Sequence, residues 1–251
     1  MSISAMRERV CPPAMQARGP CKQPVRPLEW FMTISVPKKK PAREAIAAAA
    51  VRHFAEYGFN GASLREILRD AGANVAAAHY HFGSKEELYR EVVSTFLTKL
   101  CTERQSTLLA IESSPPAQPR ERIEMLVRGY VEPHIRLCSD PGAQHYVQLL
   151  ARFVTENDQL TGRIYTEILE PTRTRYVKAI AAAVPQIAVA ELLRLFSFMV
   201  SLMVTAPADS SYRSLTGRSP WPRQPQRLTE QIVAFVTAGI LDAAQRGGKR
   251  S

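Results

Sequence analysis

This sequence offers little to covalent chemistry. Its 251 residues include four cysteines, Cys11, Cys21, Cys101 and Cys138, none of them in a CxxC pair. That spacing argues against a disulfide framework or a thiolate zinc site and fits a reducing cytoplasmic setting. There is no glycine-rich loop of the kind that cradles phosphate, and no nucleophile, base and orienting group form a recognisable set. Neither catalysis nor a cofactor is therefore expected. Long apolar runs are also missing. The most apolar stretch, 192–204 (LLRLFSFMVSLMV), is too short to cross a bilayer and carries Arg194, so it reads as a buried helix. The N-terminus is basic but lacks the apolar segment of a secretion signal. Strand-like alternation and internal repeats are absent as well.

What the chain does have is positive charge. Lys and Arg number 33 against 23 Asp and Glu, a formal net charge of +10, and 45% of residues are hydrophobic. That apolar content buries one large core or two modest ones, giving one or two domains. A basic balance points to an anionic partner, nucleic acid or an acidic membrane surface, without choosing between them. The charge is also dispersed: residues 37–91 hold nine basic and seven acidic side chains, while Arg213, Arg218, Arg223 and Arg227 crowd a proline-rich loop over 207–226.

Residues 1–36 are rich in Pro, Arg and Gln and show no period. They read as a disordered tail, or as sequence upstream of a start at Met32. From Ala42 onward the pattern is helical almost everywhere. Ala45, Ile46, Ala49, Phe54 and Ala55 make one apolar face that ends at Gly58. A short helix follows from Ser63, with Glu66 at the spacing of a capping box and Leu64, Ile67, Leu68 and Ala71 as its buried stripe. Gly72 breaks it, Asn74 caps a third helix, and Ser84 with Lys85-Glu86-Glu87 opens a fourth that stops at Ser113-Ser114-Pro115-Pro116. Further helices are expected near 120–138, 143–155, 160–184, 189–206 and 228–246. The fold expected is all-α: a compact N-terminal unit of three short helices over 37–98, a larger helical bundle over 99–246, and a flexible end over 247–251.

Two short helices joined by Gly72-Ala73 have the geometry of a helix-turn-helix, whose second helix lies in the major groove. The residues suit that role. Asn74 can pair with adenine, Val75, Ala76 and Ala77 are small enough for close approach to thymine methyls, and Lys85 and the Tyr80 hydroxyl are placed for phosphates. His79 and His81 do not read as a metal site, because an i, i+2 pair on a helix diverges and no third ligand is near; no metal is expected. Lys38 to Lys40 form a basic run ahead of the motif.

The run SLREILRDAGANVAAAHYHFGSKEELYREVV, preceded by AREAIAAAAVRHFAEYGFNGA, resembles the DNA-binding domain of TetR-family transcriptional regulators. The likeness covers about sixty residues and includes Phe54, Gly58, Ser63, Ile67, Gly72, Phe82, Lys85 and Leu88. Within the family, NVAAAHYHFGSKEELY is similar to the AcrR-like, fatty-acid-responsive branch whose recognition helix reads NxAAxNYHFGSK. Here His79 replaces an Asn and Ala78 a larger apolar residue, departures that bear on the operator rather than the fold. The resemblance implies Ser63 and Arg65 near phosphates, Asn74, Val75, Ala76 and Ala77 at base edges, His79 and Tyr80 at the groove wall, Lys85 on a phosphate, and Phe82 in the core.

Beyond residue 100 the likeness is only general. It implies a homodimer through the last two helices, a double-stranded, near-palindromic operator, and release by a small apolar effector, an acyl chain or an aromatic compound. Tyr130, His134, Phe153, Ile168, Phe196, Met199 and Met203 are the candidates to line an effector pocket, though each also suits a plain core. Two other readings compete: a basic helical protein at a membrane surface, and a small-molecule-binding helical enzyme.

Overall fold

The computed structural model describes residues 42–156, 158–208, 214, 217 and 225–248. The tail expected over 1–36, the Lys38 to Lys40 run, most of the 207–226 loop and residues 249–251 lie outside the described residues. Among the described residues every regular element is helical. The helices are α1 (Ala42–Gly61), α2 (Leu64–Ala71), α3 (Val75–Phe82), α4 (Lys85–Ser113), α5 (Pro119–Cys138), α6 (Gln144–Thr155), α7 (Gln159–Ile164), α8 (Glu170–Ala183), α9 (Val189–Thr205) and α10 (Pro225–Gly248).

The long α4 organises the chain. Its apolar side buries Leu88, Val92, Leu97, Leu100, Leu108 and Ile111, the i, i+3, i+4 recurrence of a helix with one covered face. The first part of that face belongs to a core with Ile46, Phe54, Ile67 and Phe82 of α1 to α3, which also takes in Leu149, Leu150 and Phe153 of α6. The last part belongs to a second core with Leu126, Tyr130, Tyr176, Phe196, Ile232 and Val236 from α5, α8, α9 and α10. Helix α4 crosses the expected boundary at 98/99 without a break, so the two cores share one rigid spine.

Local chemistry explains the departures from the expected helices. The single helix expected over 160–184 is three pieces: α7, a π turn at Tyr165–Leu169, and α8. Pro171 sits in the first turn of α8 and has no N–H to donate, which breaks the hydrogen-bond ladder at that point. Helix α10 runs past Arg246 to Gly248, and near that end Arg246 lies 3.1 Å from Asp242 one turn back and 3.8 Å from Glu191 of α9. The box expected between Ser63 and Glu66 does not form: Ser63 stands at the N-cap of α2, but its hydroxyl makes no cap hydrogen bond. The opening amides of α2 thus have no side-chain partner. Helix α9 is not covered all round within the chain; Phe196, Met199 and Met203 are buried, whereas Val189, Leu193 and Phe198 face outward.

Candidate nucleic-acid interface and adjoining cavity

The helix-turn-helix is built by short-range devices. Gly72 follows α2 with φ 62° and ψ 31°, a left-handed conformation that costs glycine nothing. Its N–H reaches the Arg69 carbonyl at 3.1 Å and the Ala73 N–H reaches that of Leu68 at 2.9 Å, closing α2 with a Schellman motif. The Asn74 Oδ1 accepts from the Ala77 N–H at 2.8 Å and caps α3. Behind the turn, His53 Nε2 lies 2.7 Å from Asp70 Oδ2 and ties α1 to α2. That hydrogen bond holds the Asp70 carboxyl below its ordinary pKa.

The inner side of α3 is fixed by Ala78 and Phe82, both buried. At 100° per residue, that turns Ala76 and Tyr80 outward with His79 beside them, while Val75, in register with Ala78 and Phe82, is open because it stands at the first position of the helix; Val75 is 56% and Tyr80 85% exposed. A ring as open as Tyr80 contributes nothing to the core, and its aromatic neighbour is the adjacent His81, with ring centroids 5.0 Å apart.

The other expected contacts divide. Arg65 is exposed on α2. Ala77 is half-buried and packs against the first core, whereas Ala76 is exposed. Lys85 folds its Nζ over the Phe59 ring at 4.8 Å, and burial there draws its pKa below the usual lysine value. The Asn74 oxygen expected to read adenine is occupied by the cap.

Where the two cores meet, among α4, α5, α6, α7 and α9, is a cavity of about 260 Å³. Leu97, Leu100, Leu150 and Val200 supply apolar wall, and of the seven expected pocket residues Tyr130, Phe153 and Met203 line it. The other four are used elsewhere. Phe196 and Met199 fill the second core, the Ile168 carbonyl accepts from Cys101 Sγ at 3.5 Å, and His134 is buried with its Nε2 3.4 Å from Cys138 Sγ. Burial and the neighbouring Arg104 charge push the His134 pKa down to about 3. A second cleft of about 450 Å³ lies along α4 and α5, but its Arg136 and Glu103 already pair with each other.

Two groups that the sequence pattern did not single out tie this cavity to its surroundings. Arg104 lines it and is 1% exposed. Glu156 also lines it and accepts from Arg152 Nη1 at 3.2 Å, while Arg152 Nε and Nη2 donate to the Ala55 and Glu56 carbonyls of α1, both at 2.7 Å. Arg104 left one legible sign: it occupies the buried register of α4 between Cys101 and Leu108, where an apolar residue belongs. Arg152 left only the i, i+4 spacing to Glu156, because its other partners are backbone oxygens of α1.

An all-α chain that presents an exposed second helix of a helix-turn-helix and joins it to a larger helical domain has the architecture of a DNA-binding regulator. Residues 46–92 match the family described as bacterial regulatory proteins, tetR family, and residues 106–239 match the tetracyclin repressor-like C-terminal domain. The chain belongs to the TetR family of bacterial transcriptional regulators. It is similar to the HTH-type transcriptional regulator BetI of Rhizobium meliloti, 37% identical over 86 residues covering 34% of this chain and 40% of BetI. The HTH-type transcriptional dual regulator CecR of Shigella flexneri is also 37% identical over 86 residues, covering 34% of each chain. These matches span less than half the length of either relative.

Among solved structures, the fatty acid degradation regulator FadR of Bacillus halodurans superposes with a TM-score of 0.57 at 13% identity, over 80% of this chain and 97% of FadR. The TetR family regulator PfmR of Thermus thermophilus does so with a TM-score of 0.52 at 18% identity, over 77% of this chain and 92% of PfmR. At such identities the likeness is one of fold. Among the described residues no helix is long and apolar enough to cross a membrane.

Proposed function

We propose that this regulator is a ligand-responsive repressor that binds a near-palindromic operator as a homodimer and leaves it when a small, largely apolar effector enters the cavity between the two cores. The observation that carries this reading is the Glu156 and Arg152 connection, which runs from the cavity wall to the carbonyl end of the α1 helix behind the helix-turn-helix. An effector that displaces Glu156 shifts Arg152 and, with it, the setting of α1 against α6. A difference of about 3 kcal/mol between the two settings releases DNA by more than a hundredfold.

In this reading α3 enters the major groove and offers Val75, Ala76, His79 and Tyr80 to it, with Ser63, Arg65 and the open amides of α2 at the flanking phosphates. Asn74 acts first as the cap that fixes the start of the helix, and its free amide nitrogen remains available to a base. Lys85 leaves the Phe59 ring to reach a phosphate.

Dimerisation through the last two helices is supported by Phe198 of α9 and Phe235 of α10, which are 60% and 69% exposed in the single chain. Two open aromatic rings, with Val189 and Leu193 on the same helix as Phe198, are what a second copy would cover. The likeness of the recognition helix to the fatty-acid-responsive branch favours an effector with an apolar body.

Fluorescence anisotropy with a labelled fragment from the protein's own upstream region tests the whole reading, alongside light scattering. Wild-type protein is expected to bind as a dimer, and Phe198→Glu with Phe235→Glu to become monomeric and lose most operator affinity. Salt-dependent binding that is equally tight on unrelated DNA and is indifferent to every small molecule tried would reject it.

A further inference from the structure

Among the described residues, the Arg104 guanidinium on the cavity lining has no carboxylate partner, since the Glu156 carboxylate on that lining pairs with Arg152. Arg104 is 1% exposed, and a guanidinium stays charged at any physiological pH. Its Nε donates to the Tyr130 carbonyl at 2.9 Å, its Nη2 lies 3.4 Å from the Met203 sulfur, and its Cζ sits 3.8 Å from the Tyr130 ring centroid. Each of these contacts is uncharged or merely polarised, and none of the described carboxylates is in ion-pair reach of the group. All three residues of this cluster line the cavity. His134, one helical turn beyond Tyr130, is held neutral and buried, so it neither compensates the charge nor adds to it.

A buried ion persists in a protein interior when something pairs with it, and the rest of the guanidinium's surroundings cannot. We infer that the effector of this protein is a compact organic monoacid, whose carboxylate pairs with Arg104 and whose apolar body lies along Leu97, Leu100 and Val200. This deepens the effector reading above and rests on it.

Three features narrow the class. The fork of guanidinium N–H groups matches a carboxylate, and the polar side chains of Glu156, Thr161 and Tyr165 on the lining already hydrogen-bond within the chain. A volume of about 260 Å³ falls just below the roughly 300 Å³ at which ligand pockets usually begin, which suits a medium-chain alkanoate or an arylalkanoate. Glu156, on the same lining, is already engaged by Arg152 and repels a second anionic group, which disfavours diacids and phosphate esters.

Isothermal titration of the full chain with octanoate and 3-phenylpropionate, each beside its neutral amide, tests the assignment. Wild-type protein should bind at least one acid roughly tenfold or more tighter than its amide, since a single charge-assisted pair in a dry site carries at least that much. Arg104→Met should abolish the preference, leaving amide affinity within about threefold. Arg104→Lys keeps a charge without the fork and should retain part of the preference, which guards against a Met variant that fails to fold. Equal binding of acid and amide by wild-type protein, an acid preference surviving in Arg104→Met, or no binding of any of the four probes overturns the assignment. Operator anisotropy on the same samples separates the outcomes. Release by the amides with no acid preference leaves the repressor reading standing, whereas failure to bind operator at all defeats that reading whatever the acids do.

Discussion

Arg152 and Ala55, 97 positions apart in the chain, are joined by a 2.7 Å hydrogen bond from the Arg152 Nε to the Ala55 carbonyl. The same guanidinium holds the Glu56 carbonyl and the Glu156 carboxylate, so one side chain binds the end of α1 to the end of α6. Carbonyls at a helix C-terminus carry partial negative charge, which makes a cation the natural partner there. Replacing Arg152 with Ala should cost about 1–2 kcal/mol of stability, the lower part of the charged hydrogen-bond range because the side chain is partly exposed. More tellingly, it should shrink the effect of effector on operator affinity. Urea denaturation and paired operator titrations with and without ligand measure the two effects separately; an unchanged ligand effect would remove Arg152 from the coupling.

Gly58 lies against the same cluster. Its φ of 69° and ψ of 179° belong to a region that essentially only glycine occupies, and a Cβ there would come 2.6 Å from the Glu156 Oε1. Gly58→Ala should therefore destabilise the fold by about 2 kcal/mol. Part of that cost is steric and part is conformational. Glu156→Ala in the same chain should recover only the steric part, so a double-mutant cycle by thermal melting is expected to show a coupling of about 1 kcal/mol.

Asn74 and Tyr80 are expected to separate stability from recognition. Asn74→Ala removes the α3 cap and should cost about 1 kcal/mol, with operator binding weakened because the start of the helix frays. Asn74→Asp keeps an accepting oxygen and should keep the fold, although its charge would repel the DNA backbone. Tyr80→Ala should leave the melting temperature nearly unchanged, since surface substitutions usually stay within about 0.5 kcal/mol, and should weaken binding to every DNA sequence alike. A Tyr80→Ala variant with wild-type operator affinity would show that this face of α3 does not meet the DNA.

His134 predicts a pH dependence with a definite sign. Its pKa falls from 6.5 to about 3 on folding, so between those values the unfolded chain binds the proton and the folded chain does not. The stabilisation is fully present above the unfolded value and is lost as pH falls from 6.5 toward 3. At pH 5 the loss from this residue is about 2 kcal/mol. His134→Leu cannot titrate and should lose correspondingly less stability between pH 7 and pH 5; parallel melting profiles for the two proteins would mean that the ring is not held neutral.

The residues that read correctly from sequence are those whose conformation is decided within one or two helical turns. The positive φ at Gly72 and the Asn74 and Ser84 caps all rest on contacts three to five positions apart. Such contacts are legible wherever the residue types occur at the right spacing, which is why the helix-turn-helix and the all-α class could be seen without coordinates. The pocket was read less well. Tyr130, Phe153 and Met203 reach the cavity while Phe196 and Met199 do not, although all five are large apolar residues on helices.

What the sequence determined by itself, then, is the order of helices and the recognition unit, because hydrogen bonding and periodicity along one helix need no distant partner. What only the tertiary structure decided is which way each helix turns against the others. That rotation encloses the Arg104 guanidinium beside Tyr130 and Met203, and brings Arg152 onto the carbonyls of α1. The physical reason is that a charged side chain reads from sequence as solvated. Whether it is buried depends on helices that meet it from many residues away, through packing that no local pattern records.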